Sequence, residues 1–368
     1  MEPQSRLAAV RKGALLMAAA VVLLALLEGL VGIGLTAQQF VKELKRPRFR
    51  QYMFDQEIGW AYRPNVWIKD AFARGIGFKT NSQGFRGSPE LARTVPPGKK
   101  RLLCSGDSFT AGIGVKDDET WCSQVALREP RLETANLGVG GYGLDQMYLR
   151  YRRYKDSLDH QVHVVAVIGD DFFRIRSPKF LDRAKPVLEI RNGLLTIGNF
   201  PLPSPTLSSR VRNSLSTAGL QLRSVDLGID LLERARRRLR PSAEVRHAET
   251  KRLSAAILEA LQGVCRQKDC TLFLLYLPSE PECQGHAPDE GLHAFWNEEA
   301  RRRGVPSLDL TEACRAIPAD EKESLFIQQN ERYVDKGIAG HYSARGHRFV
   351  AEHLLPRVQS ILGLGRAH

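Results

Sequence analysis

Three apolar runs constrain this chain most. Val162-His163-Val164-Val165-Ala166-Val167-Ile168 and Thr271-Leu272-Phe273-Leu274-Leu275-Tyr276-Leu277 carry almost no alternation of apolar with polar residues, and Val305 to Leu310 is a third, shorter run. A strand buried on both faces has that pattern, and parallel sheets covered by helices provide that burial. Helical spacing flanks the runs at Leu144 to Tyr154, Ala248 to Arg266 and Leu292 to Arg303. Arg101 to Cys104 and Glu133 to Leu137 read as further strands, and Thr120 to Leu127 as a short helix. The alternation predicts an α/β fold, a three-layer sandwich with a central parallel sheet. Ligands of such a sheet lie beyond its C-terminal strand ends.

The N-terminus is of another kind. Ala14 to Leu35 is an apolar stretch of 22 residues interrupted only by Glu28, long enough to cross a bilayer as a helix. A cleaved signal peptide would have a shorter apolar region ending in a small-x-small site, and Leu35-Thr36-Ala37 is a poor version of one. An uncleaved transmembrane signal-anchor over 14–35 is therefore expected, after a tail over 1–13. Glu28 is costly in mid-bilayer unless it reaches the interface or contacts a partner helix, which makes it a candidate site for a membrane-protein partner. A basic juxtamembrane linker follows over 36–52. Residues 53–97, rich in glycine and aromatics, read as an accessory segment packed on the main domain.

The main domain is expected over 98–368, with an insertion over 172–247. The insertion breaks the strand–helix alternation. Ile190-Arg191-Asn192-Gly193-Leu194-Leu195 reads as a hairpin with an Asn-Gly turn, and Pro201-Leu202-Pro203-Ser204-Pro205 cannot be regular. This segment is expected beside the active site.

The formal charge of +13 points to a polyanionic neighbour or to a basic solvated surface. Much of it lies in Lys42 to Arg50 and Arg234 to Arg240. Neither cluster is interleaved with aromatics and no nucleic-acid module is present, so a nucleic-acid partner is not expected. Of the six cysteines, Cys104 and Cys122 read as buried, while Cys265, Cys270, Cys283 and Cys314 are candidates for disulfides. No zinc-finger spacing occurs and the histidines are scattered, so neither metal nor cofactor is expected.

Two strings carry chemistry. Cys104-Ser105-Gly106-Asp107-Ser108-Phe109-Thr110-Ala111-Gly112 places Ser108 just past a strand end and at a helix start, where its hydroxyl can reach the rim of the sheet. Alone, Ser108 would read as a helix N-cap. Lying 233 residues later, Gly340-His341-Tyr342-Ser343-Ala344-Arg345-Gly346-His347 adds a histidine just before the last helix. A serine hydroxyl needs such a base to become a nucleophile. His341 sits in a polar turn and is the candidate base. His347 shares a stripe with Val350, Leu354, Val358 and Ile361 and reads as a core histidine.

Between these strings lie Asn136-Leu137-Gly138-Val139-Gly140-Gly141-Tyr142-Gly143 and Ile168-Gly169-Asp170-Asp171. In order and spacing the four strings resemble the SGNH (GDSL-type) hydrolase superfamily from about residue 98 to the C-terminus. Asp55-Gln56-Glu57-Ile58-Gly59-Trp60 and Thr80-Asn81-Ser82-Gln83-Gly84-Phe85-Arg86 resemble the lead-in of membrane-anchored bacterial members. The resemblance implies a flavodoxin-like SGNH fold, with Ser108 as nucleophile, His341 as base, and the backbone N–H groups of Ser108 and Gly141 as oxyanion donors. It places Asp170 where the family has an asparagine donor. A carboxylate donates only when protonated, so this is a departure. It also places Ile338 where the family has the aspartate that orients the histidine. Asp335, six residues before His341, is the candidate replacement; the alternative is a Ser–His dyad oriented by a backbone carbonyl.

These features imply a membrane-anchored serine esterase, or O-acyltransferase, acting on O-acyl groups of a cell-envelope glycan. The substrate class follows from the resemblance and the anchor, not from any residue. The other reading is a catalytically degenerate domain that binds a glycan or scaffolds an envelope assembly. Charge flanking the apolar stretch favours a cytoplasmic C-terminal domain. The resemblance and the short N-terminal tail favour the outside, and an extracytoplasmic domain on the inner membrane is the expectation.

Overall fold

The computed structural model describes residues 15–17, 19–23, 26, 29, 51–87, 89–181, 183–204, 242–286, 290–329, 332–333 and 336–365. The chain divides into two compact units, Met1–Arg46 with Pro205–Arg240, and Pro47–Ser204 with Pro241–His368. In the first unit the described residues of the apolar stretch are helical. Among the described residues no helix is long and apolar enough to cross a membrane. Glu28, the two basic clusters, residues 36–50 of the linker, Asp335 and residues 205–241 of the insertion lie outside the described residues.

The second unit begins with two antiparallel hairpins, β1 (Tyr52–Asp55) with β2 (Gly59–Tyr62) and β3 (Trp67–Ala73) with β4 (Ile76–Lys79). They are built onto the glycine-rich loop of the main domain. The Trp60 indole donates to Gly140 O at 3.0 Å, and the Tyr142 hydroxyl donates back to Trp60 O at 2.6 Å.

The main sheet contains β5 (Lys100–Ser105), β6 (Leu132–Asn136), β7 (Val162–Val167), β12 (Thr271–Tyr276) and β13 (Ser307–Asp309). Its spatial order is β13-β12-β7-β5-β6 and every pairing is parallel. The chain steps from β5 to β6 and then returns to the other side of β5 with β7. The order reverses there, and the crevice at such a switch point is where this architecture binds ligands.

The uninterrupted run of β7 serves two layers. Val162, Val164 and Ala166 pack with Trp121 and Val125 of α2 (Trp121–Arg128) and with Val350 and Leu354 of α9 (Ala344–Ile361). Val165 and Val167 face the opposite layer. There they meet α3 (Leu144–Tyr154), α5 (Ala243–Gln267) and α7 (Glu290–Arg303), through Met147, Ile257, Leu261 and Trp296. Alternate side chains thus enter different cores, and both are apolar apart from His163, whose Nε2 lies 2.9 Å from Ser105 Oγ.

Between β7 and α5 the insertion forms two small hairpins, β8 (Lys179–Phe180) with β9 (Arg183–Ala184) and β10 (Leu188–Arg191) with β11 (Leu194–Ile197). The turn of the second is Asn192-Gly193, both with positive φ (50° and 77°), as its sequence predicts. Between the hairpins, the fully buried Lys185 ammonium pairs with the fully buried Asp145 carboxylate in the first turn of α3. One disulfide joins Cys283 of α6 (Glu280–Cys283) to Cys314 of α8 (Thr311–Arg315). Cys104, Cys122, Cys265 and Cys270 are free thiols, so of the four candidate cysteines only one pair is bonded.

Candidate active site

β5 ends at Ser105, and after Gly106 and Asp107 the chain turns into the one-turn helix α1 (Ser108–Ala111). Asp107 caps that helix, its Oδ1 accepting from Phe109 N at 2.8 Å. Ser108 is therefore held at the C-terminal edge of the sheet, at the β5/β7 switch point.

His341 arrives from the loop before α9. Ile327 N donates to His341 O at 2.7 Å, and Gly340 N donates to Ile327 O at 2.9 Å, fixing the loop backbone. The imidazole stacks on Phe109, with ring centroids 5.0 Å apart. Its Nε2 lies 2.9 Å from Ser108 Oγ, and its Nδ1 lies 3.0 Å from Ile338 O. A carbonyl oxygen can only accept, so Nδ1 carries the proton in that contact and Nε2 presents its lone pair to the serine. Ile338 stands where the resemblance expected an aspartate, and its main-chain oxygen meets the histidine Nδ1. Asp335 lies outside the described residues.

The glycine loop passes beside the serine. A Cβ built on Gly140 would lie 3.9 Å from Ser108 Cβ. Gly141 has φ +82°, and a Cβ there would overlap the Phe180 ring. Only glycine combines that backbone with that closeness. Phe180 comes from the first hairpin of the insertion and stacks on Trp60, with centroids 6.0 Å apart. The insertion thus borders the site. Among the described residues, no hydrogen bond occupies the backbone N–H of Ser108 or of Gly141.

Asp170 lies on the helix that follows β7. It is the second residue of α4 (Gly169–Arg174), its side chain is 71 % exposed, and its ionic contact is Arg174 at 3.7 Å. The helix turn instead buries its neighbour Asp171, whose Oδ2 accepts from Ile168 N at 3.0 Å. Burial, reinforced by the charge of Asp107, pushes the Asp171 carboxyl well above the usual carboxylate range.

Sequence reasoning missed Arg174. Its Nη1 lies 3.0 Å from Asp107 Oδ2, 2.6 Å from Asp171 Oδ1 and 3.0 Å from Tyr142 O. The spacing Asp171 to Arg174 could have signalled an i,i+3 pair on a helix. The contact with Asp107 spans 67 residues and leaves no local signal. His347 lies apart from the site: it is 1 % exposed, and its Nδ1 accepts from Trp121 N at 3.1 Å.

Fold and site together define a class, a parallel three-layer α/β domain with a hydrogen-bonded serine–histidine pair at its C-terminal edge. No protein-family profile matches the chain, and no curated protein matches it. Solved structures do. The chain is similar to TesA at 12 % identity, covering 71 % of this chain and 99 % of that one with a TM-score of 0.40. An acetyl xylan esterase is 14 % identical, covering 70 % of this chain and 99 % of that one with a TM-score of 0.40. A lipase/acylhydrolase from Enterococcus faecalis is 12 % identical, covering 71 % of this chain and 96 % of that one with a TM-score of 0.38.

Proposed function

We propose that this protein is a membrane-anchored serine esterase or acyltransferase, acting on O-acyl groups of a cell-envelope glycan from the extracytoplasmic side of the inner membrane. The observation that carries the reaction type is the contact of 2.9 Å between Ser108 Oγ and His341 Nε2, with Nδ1 held on Ile338 O. Ser108 Oγ attacks the acyl carbonyl as its proton moves to Nε2. The charge that develops on the imidazolium is stabilised by the Ile338 carbonyl dipole. The tetrahedral oxyanion is met by the N–H groups of Ser108 and Gly141. Collapse breaks the C–O bond, and His341 returns the proton to the departing alcohol. The acyl-serine is then cleaved by water or by a sugar hydroxyl, activated in turn by His341.

The substrate class rests on the sequence resemblance and the apolar stretch over 14–35. The Cys283–Cys314 disulfide supports an oxidising compartment. The test is acylation. A fluorophosphonate probe should add once per molecule, at Ser108 by peptide mass spectrometry, and p-nitrophenyl acetate should be turned over. Ser108→Ala should abolish both. His341→Gln should slow both by about 10²–10⁴, the usual worth of a general base. A folded protein that neither labels at Ser108 nor cleaves the ester overturns the enzyme reading in favour of a glycan-binding or scaffold domain.

A further inference from the structure

The geometry points to Arg174 as a positioning residue that directs the Ser108 hydroxyl proton to His341 by neutralising Asp107. This rests on the serine-esterase reading. Ser108 Oγ has one proton and two acceptors within reach, His341 Nε2 at 2.9 Å and Asp107 Oδ2 at 3.2 Å. Only the first choice leads to attack. Asp107 is 1 % exposed, so an uncompensated charge on it would be poorly screened. It would hold the serine proton and oppose negative charge growing nearby.

Arg174 weakens that competition. It donates to the same oxygen, Oδ2, at 3.0 Å, while the other oxygen accepts from Phe109 N at 2.8 Å. Both oxygens of Asp107 are thereby engaged by donors other than the serine. Tyr142 O at 3.0 Å and Asp171 Oδ1 at 2.6 Å orient the guanidinium from the glycine-loop side and from within α4. Phe180 covers it, the ring centroid 5.0 Å from Cζ, and the side chain is only 14 % exposed.

The experiment uses the full chain and the second-order rate of fluorophosphonate labelling at Ser108, with kcat and KM for p-nitrophenyl acetate and a denaturation curve for each variant. Arg174→Met should lower labelling and kcat by about 10²-fold, the scale of one misplaced charge or donor at a reacting oxygen, with KM little changed. Adding Asp107→Asn should restore labelling at least tenfold, since asparagine still caps Phe109 N–H but carries no charge. Adding Asp171→Asn to Arg174→Met instead should restore stability without restoring rate. The inference is overturned if folded Arg174→Met labels at the wild-type rate, or if Asp171→Asn rescues as well as Asp107→Asn. If Arg174→Met does not fold, the two double variants decide: faster labelling with Asp107→Asn supports the inference and equal rates overturn it. A wild-type chain that never labels at Ser108 overturns the esterase reading itself, and this inference with it.

Discussion

His341 and His347 lie six positions apart and live in opposite environments. His341 is part-exposed and hydrogen-bonded at both ring nitrogens. His347 is buried in the layer under α9, and burial pushes its imidazole down to about 3. A group whose folded pKa is depressed stabilises the fold above its unfolded value and loses that contribution as pH falls towards the folded one. The unfolded chain binds the proton that the folded chain refuses. Stability from His347 should therefore be complete above about pH 6.5 and decline towards pH 3, an effect of a few kcal/mol. Urea unfolding across that range should show a shallower acid decline for His347→Gln than for the wild type. The rate of labelling at Ser108, per folded molecule, should not change. A variant that kept the acid slope and lost labelling would reverse the assignment of the two histidines.

At the level of elements, the insertion is tied to the sheet domain by the Lys185–Asp145 pair. Burial raises the Asp145 carboxyl and lowers the Lys185 ammonium, opposing both charges, and among the described residues each is held by the other and by nearby backbone groups. Breaking such a pair strands a charge, so Lys185→Met should cost about 3–5 kcal/mol in a denaturant titration. Lys185→Met with Asp145→Leu should cost clearly less. If the double variant is as unstable as the single, the ion pair is not what holds the insertion. Gly141 belongs to the same junction. Gly141→Ala places a Cβ against Phe180 at a positive φ, and about 1–3 kcal/mol of strain is expected there. The loop must shift to relieve it, and labelling at Ser108 should fall at least tenfold, part of the roughly 10²–10³ that a full loss of one oxyanion donor costs. Phe180→Ala should return part of that loss, which rates of the single and double variants would measure.

For the whole molecule the open proposal is anchorage and side. The apolar stretch over 14–35 should remain in the mature protein, so N-terminal sequencing should not begin near Gln38. The full chain should sediment with membranes and resist extraction by high salt. A C-terminal reporter active only outside the cytoplasm should be active. A reporter active only inside the cytoplasm would overturn the assigned side, and with it the support drawn from the Cys283–Cys314 disulfide.

The sequence by itself determined the sheet and its helices. Val162 to Ile168 had to be buried on both faces, and the structure divides its side chains between two cores. Leu144–Tyr154 forms a helix over the residues its spacing predicts. The Asn192-Gly193 turn was equally legible, because local backbone preference is a property of neighbouring residues. Helix ends were less so: Ala243–Gln267 begins five residues before the apolar spacing does, because Ser242 supplies its N-cap. What joins Ser108 to His341 was visible only as two strings 233 residues apart; their contact of 2.9 Å is set by β5, by α9 and by the loop through Ile327. Tertiary structure alone decided that Ile338 meets the histidine with a carbonyl, that Asp171 is buried while Asp170 is not, and that Arg174 reaches Asp107. A main-chain oxygen carries no residue identity, and a charge pair closed across 67 residues has no spacing rule to betray it.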